Sequence, residues 1–305
     1  MPVVKRRFKG RLWKSAMALA LFAVGGVLVF VVVLLVAGFD RLEAFLAPKA
    51  ELWPRWQAHD PASNERIDHA QWETFLRAYV AADGAGIHRI PFARVSSGHR
   101  ALLEGYVARM EAVPISRYAR EEQFAYWINL YNAATVRLVL ARYPLKSIMD
   151  LNISPGWFSF GPWEKKLLTV EGERLSLGDI EHRILRPIWR DPRIHYAVSC
   201  LALGCPNLPA RPVTRENSEA LLEAGARAYI NHPRGARVEG RLLTVSKIYN
   251  WFSADFGENN TDVITHLKRY ADPPLLEALG GIKGIEGYAY DWMLNDASQP
   301  ESKGR

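Results

Sequence analysis

Two cysteines, Cys200 and Cys205, are the only thiols of the chain, and His182 and His195 lie in the same stretch, residues 179–209. A cysteine nucleophile needs a base within hydrogen-bond reach and a third group to orient that base. Cys205 sits in a Gly-Cys-Pro turn that can present a side chain to solvent. His182 or His195 is then the candidate base, and Glu181 or Asp191 the orienting carboxylate. On one extended strand His195 and Cys200 would face opposite sides, whereas His195 and Ser199 would share one. The competing readings are structural: a Cys200–Cys205 disulfide, or two small buried hydrophobes. His182 can equally be a core imidazole bonded to a carbonyl. A metal centre needs three or four converging ligands. No HxxxH or HExxH is present, so a metal would need His182, His195, Cys205 and a carboxylate together. The reading includes no cofactor and no metal.

Asn129 and Asn132, in WINLYNA, are the next residues of interest. Asparagine is a poor choice inside a helix because its amide competes for backbone hydrogen bonds. Two of them three residues apart share a face. Either they tie loops to the helix, for instance residues 154–163, or they line a cleft as ligand-binding groups. The loop SPGWFSFGPW carries Trp157, Phe158, Phe160 and Trp163, which can stack on a glycan or grip a peptide, or fold back onto their own domain. Trp163 is the ligand-binding candidate among them.

The elements that would position these groups follow from periodicity and punctuation. Asp179 reads as the N-cap of a helix, IEHRILRPI, ended by Pro187. Residues 194–199 (IHYAVS) read as a short buried strand. Gly204, Pro206 and Pro209 make residues 203–210 a loop. Upstream, helices are expected over 67–79, 92–110 and 117–142, the last capped by Ser116 and carrying Trp127, Tyr131, Ala134 and Leu138 on one stripe. Downstream come helices near 217–231, 247–256, 262–270 and 273–281. LLTVEGERLSL and RVEGRLLTV read as hairpins turning at Glu-Gly, and 287–291 as a last strand. The fold class is α+β: a helix-rich single domain with a small, largely antiparallel sheet.

The formal net charge is +7, of which Lys5, Arg6, Arg7, Lys9, Arg11 and Lys14 supply six; +7 less these six leaves +1 for the rest. The basic character is therefore N-terminal and not a nucleic-acid face. Residues 15–39 carry no charged side chain, and 25 residues suffice to cross about 30 Å of hydrocarbon at 1.5 Å per residue. The expectation is one transmembrane anchor, with residues 1–14 as a cytoplasmic basic flank and everything from residue 40 on the far side of the plasma (inner) membrane. Residues 40–66 read as a stalk or as an arm packed on the domain. The domain itself is taken as 67–295 and residues 296–305 as a disordered tail. Extracytoplasmic location and an even cysteine count favour the Cys200–Cys205 disulfide.

FAYWINLYNAAT, GPWEKKLLTV, LSLGDIEHRILRP, DPRIHYAVSCLALGCPNL and YDWMLN, in that order over residues 67–295, resemble the DUF547 family of bacteria and plants. The resemblance implies no settled reaction. It does imply an export signal, which many bacterial relatives carry, and cysteines that plant relatives do not always keep. Two readings remain open. One is a membrane-anchored extracytoplasmic domain that binds an envelope protein or polymer. The other is a cysteine-dependent hydrolase or acyl transferase using Cys205 and a histidine, by analogy with papain- or transglutaminase-like cores.

Overall fold

The computed structural model describes residue 26 and residues 38–155, 161–257 and 259–298. The chain divides into two compact units, Met1–Ala47 and Pro48–Arg305. In the first, the described part is essentially one helix, α1 (Phe39–Leu46), with Asp40 in its first turn. The expected anchor over 15–39 lies, apart from residues 26, 38 and 39, outside the described residues. Among the described residues no helix is long and apolar enough to cross a membrane.

The second unit is helix-rich α+β, built around α4 (Arg120–Arg142). Glu121 and Glu122 sit in its first turn, where the helix dipole favours acids. Ala119 is the N-cap and gives no side-chain bond. Ser116, expected as the cap, instead donates its hydroxyl and its backbone N–H to Glu171. From Glu122 to Leu140 all residues but Arg137 are buried, so α4 is enclosed on every face and not along one stripe. On it packs α3 (Ser97–Glu111), capped by Ser96, and on α3 packs α2 (Ala70–Tyr79). The expected helix over 92–110 is broken, because Phe92–Arg94 forms a separate 3-10 turn after Pro91.

Among the described residues the strands form three small sheets and not one. β1 (Ala81–Ala82) pairs with β2 (His88–Arg89), and β3 (Leu168–Val170) with β4 (Glu173–Leu175), both antiparallel. The β3–β4 turn has positive φ at both Glu171 and Gly172, the backbone a two-residue hairpin loop requires. β5 (Ala236–Glu239) and β6 (Leu242–Ser246) form the third hairpin, and β7 (Gly287–Ala289) joins β6 in parallel.

Two stretches differ from expectation for identifiable reasons. Residues 179–189 are a π-helix, Asp179–Leu185, followed without a break by α5 (Arg186–Trp189), which runs through Pro187. Proline brings no N–H, so carbonyls one turn back need other donors. The N–H groups of Glu51 and Trp53 supply them, bonding the carbonyls of His182 and Arg183 at 2.9 and 3.0 Å. Residues 194–199 are not a strand. Asp191 caps a 3-10 turn, Pro192–Tyr196, and residues 197–199 have no ladder partner among the described residues, being held by a side chain of α4 instead.

Both ends are also more integrated than expected. From residue 48 on, the segment read as a stalk is an arm on the second unit: Trp56 is 3% exposed and packs edge-on to Trp127 at 5.1 Å. At the other end, Asp296, expected in a disordered tail, is 0% exposed and accepts from the Tyr143 hydroxyl at 2.8 Å.

Among its described residues the unit holds two apolar clusters. The larger surrounds α4. The smaller is built from α6 (Ser218–Ile230), β5–β7, α7 (Ile248–Trp251), α8 (Ser253–Phe256) and α9 (Asn260–Tyr270), next to the short α10 (Pro273–Ala278).

Candidate functional site

The chemistry-bearing residues gather where the two clusters meet. The π-helix contributes Glu181 and His182, α5 contributes Arg186, the 3-10 turn His195, and α8 Asp255. His195 lies between two carboxylates. Its Nε2 is 2.7 Å from Asp255 Oδ2, a hydrogen bond, and its Nδ1 is 3.7 Å from Glu181 Oε1, an ion pair too long for one. Phe252 stacks on the imidazole at 4.6 Å and 10°. Glu181 also accepts from the Tyr131 hydroxyl at 3.0 Å. Arg186 donates Nε to Asp255 Oδ2 at 2.5 Å and Nη1 to the Pro48 carbonyl at 2.9 Å. That same Nη1 is 3.0 Å from His182 Nδ1, which therefore accepts.

The electrostatics follow from burial and partners. Burial disfavours charge on Glu181, but His182, His195 and Arg186 outweigh it and bring its pKa down to about 2. Near neutral pH the effective partners are His195 and Arg186, because burial and Arg186 hold His182 neutral, with a pKa lowered to about 4. Asp255 is likewise brought to about 2: burial opposes its charge, and hydrogen bonds from His195 and Arg186 override it. His195 is raised, since its two carboxylates offset the cost of burial. Both ring nitrogens therefore face carboxylates, which favour the protonated ring over the neutral one. That arrangement ties two elements together and leaves neither nitrogen turned towards a thiol.

Cys200 and Cys205 are bonded to each other. The Cys205 sulfur accepts from the Cys200 N–H at 2.9 Å and the Tyr290 hydroxyl at 3.1 Å. No imidazole is among the polar partners of either sulfur in the described residues. The loop between them is held by the segment after β7. Leu203 and Gly204 donate to the carbonyls of Met293 and Asp291, and Asn295 donates to that of Leu201. A Cβ on Gly204 would stand 2.7 Å from the Asp291 nitrogen, so only glycine fits. Leu201 has φ 64.

Asn129 and Asn132 are both buried and both tie main chain to α4. Asn129 bonds Val213 N–H and C=O, at 3.0 and 2.7 Å; Asn132 accepts from Ser199 N–H at 2.9 Å and donates to the Ala197 carbonyl at 2.8 Å. Each amide thus acts as a strand edge for one loop, and the loops concerned are 197–199 and 213 and not 154–163. Of the aromatic loop, Trp157, Phe158 and Phe160 lie outside the described residues. Trp163 is half-buried 5.8 Å from Trp292, which in turn stands 4.6 Å from Tyr290 and 5.4 Å from Trp251. Among the described residues no group of His, Cys, Asp and Glu is arranged to hold a metal. Asp191, the other candidate orienter, pairs with Arg193 at 2.7 Å.

Sequence reasoning missed Arg186, Asp255, Tyr131 and Tyr290. Arg186 had a signal, since it lies four residues after His182 on the same helical face. Asp255 is far away in sequence and carries no local sign, and the one sign for Tyr290 was its place at the head of the YDWMLN motif.

A helix-rich α+β domain with an enclosed carboxylate–imidazole–guanidinium cluster beside a disulfide loop is the class these features define. Residues 115–230 match the family model described as "Protein of unknown function, DUF547", so the chain carries a DUF547 segment there. That segment includes α4, the π-helix, His195 and both cysteines, while Asp255 and the YDWMLN motif lie beyond it. No curated protein and no solved structure matches the chain.

Proposed function

We propose that the protein is a membrane-anchored, extracytoplasmic binding domain whose target is a polymer of the cell envelope. The observation that carries this reading is the group Trp163, Trp251, Tyr290 and Trp292. Four half-buried rings from three segments stand 4.6–5.8 Å from their neighbours. Aromatic faces that keep part of their area in solvent are suited to stacking on sugar rings. The basic flank and the uncharged run 15–39 supply the anchor in this reading, and the disulfide suits an oxidising compartment. A binding role also accords with the sulfurs being joined and His195 being committed to two carboxylates.

Full-length protein in detergent should co-sediment saturably with insoluble peptidoglycan. Trp251→Ala together with Trp292→Ala should weaken this at least about tenfold, roughly the loss of one to two ring-stacking contacts. Absence of saturable co-sedimentation, or an unchanged double variant, overturns the reading.

A further inference from the structure

A cleft of about 400 Å³ opens beside the buried cluster, lined by Leu52, Arg186, Pro187, Arg190, Ala254 and Asp255 among others. Its polar groups are fixed from behind. The Arg186 side chain is only 4% exposed, with Nε on Asp255 and Nη1 on the Pro48 carbonyl. Its guanidinium lies over the Phe252 ring at 4.6 Å, and its Nη2 has no hydrogen bond among the described residues, which leaves that donor to a ligand in the cleft that Arg186 lines. Asp255 is in the same position with opposite sign. Oδ2 is held by Arg186 and His195, and Oδ1 has no partner among the described residues. At the rim Arg190 makes one long bond, Nε to the Pro187 carbonyl at 3.4 Å. Its backbone is left-handed, φ 53, which costs a non-glycine residue free energy and places its side chain at the cleft mouth. The fourth charged lining residue, Asp191, is taken up by Arg193.

We propose that this cleft binds a free α-amino acid as its zwitterion, with the carboxylate on Arg186 and Arg190 and the ammonium on Asp255. A simple anion would leave Asp255 Oδ1 facing it, and a simple cation would meet two guanidiniums. A ligand with both charges two bonds apart satisfies all three side chains. The alanine, leucine and proline walls accept a side chain, and the volume lies at the small end of ligand pockets. Guanidinium–carboxylate pairing and an ammonium on a preorganised carboxylate are the strong class of hydrogen bond. The inference goes beyond the polymer reading and uses none of its four aromatic residues, so either can fail alone.

The test is thermal shift and titration calorimetry on the full chain in detergent. The probes are glycine, L-alanine, L-lysine and L-glutamate, with acetate and methylammonium as single-charge controls. At least one amino acid should bind saturably and raise the melting temperature, the controls should not, and Arg190→Gln should weaken binding about tenfold or more. Asp255→Asn should abolish it. Should that variant not fold, the exposed Arg190→Gln decides. Binding by none of the four amino acids, equal binding by acetate or methylammonium, or an Arg190→Gln affinity equal to the parent overturns the proposal.

Discussion

His195 is the residue on which the charge balance of the interior turns. Its raised pKa means the folded state binds the proton more tightly than the unfolded chain does. The resulting stabilisation is fully present below the ordinary value of 6.5 and is lost as pH rises through the raised one. Glu181 and Asp255 have the opposite sign. With pKa values near 2 they stabilise the fold above their ordinary values of 4.5 and 3.8, and that contribution disappears as pH falls towards 2. His182, lowered to about 4, adds to the acid loss between 6.5 and 4, because the unfolded chain takes up the proton first. Denaturant unfolding measured across pH should therefore give a stability maximum with a decline on each side. His195→Gln should remove the decline that begins just above pH 6.5, leaving only the one set by the buried tyrosines above pH 10. It should also shrink the acid limb, since Glu181 and Asp255 lose one of the groups that lower them. An alkaline limb unchanged in that variant would place its cause elsewhere. The sequence could nominate His195, Glu181 and His182 because they are neighbours along the chain. It could not pair His195 with Asp255, 60 residues away, since that pairing is made by the meeting of two cores.

At the scale of elements, α4 does more than fill the centre. Its two asparagines replace the missing neighbours of two irregular segments, so an uncapped helix organises loops that have no sheet to join. Asn132→Leu keeps the volume but strands Ser199 N–H and the Ala197 carbonyl in the interior. It should cost about 1–3 kcal/mol of stability, read as a lower denaturation midpoint at unchanged slope. A midpoint equal to the parent's would mean the loop finds other partners. The C-terminal end of α4 and the burden of its asparagines were legible from spacing and punctuation, though its start lies three residues beyond the expected one, and so were the hairpins, through Glu171-Gly172 and Gly240. The 194–199 segment was misread because β-rich composition reports a half-buried pleated surface, and here the pairing that would make it a strand is supplied by an amide. The π-turn was invisible for a related reason: Pro187 forecasts a stop only if nothing else bonds the carbonyls behind it, and the donors lie at Glu51 and Trp53.

For the whole molecule, the domain begins earlier than its recognisable motifs. The arm over 48–57 bonds the π-helix, lends Pro48 to Arg186, and inserts Trp56 into the main core. Loss of a buried tryptophan alone costs about 3–5 kcal/mol, a large share of a typical stability of about 5–15 kcal/mol. A chain starting at residue 67 should therefore melt at least about 6 °C below one starting at 48, judged by scanning calorimetry. Equal melting temperatures would reduce the arm to a surface attachment. The pinning of the cysteine loop by the far end of the domain has a consequence for how the chain is made. Tyr290 follows Cys205 by 85 residues, and the carbonyls that hold Leu203 and Gly204 come from the same late segment. On the ribosome, or in a translocation channel, both thiols emerge well before their template does. An oxidant that meets the nascent chain acts on a loop with no fixed shape, whereas one that acts after release meets sulfurs already aligned. The order of synthesis thus decides whether the bond guides the fold or seals it.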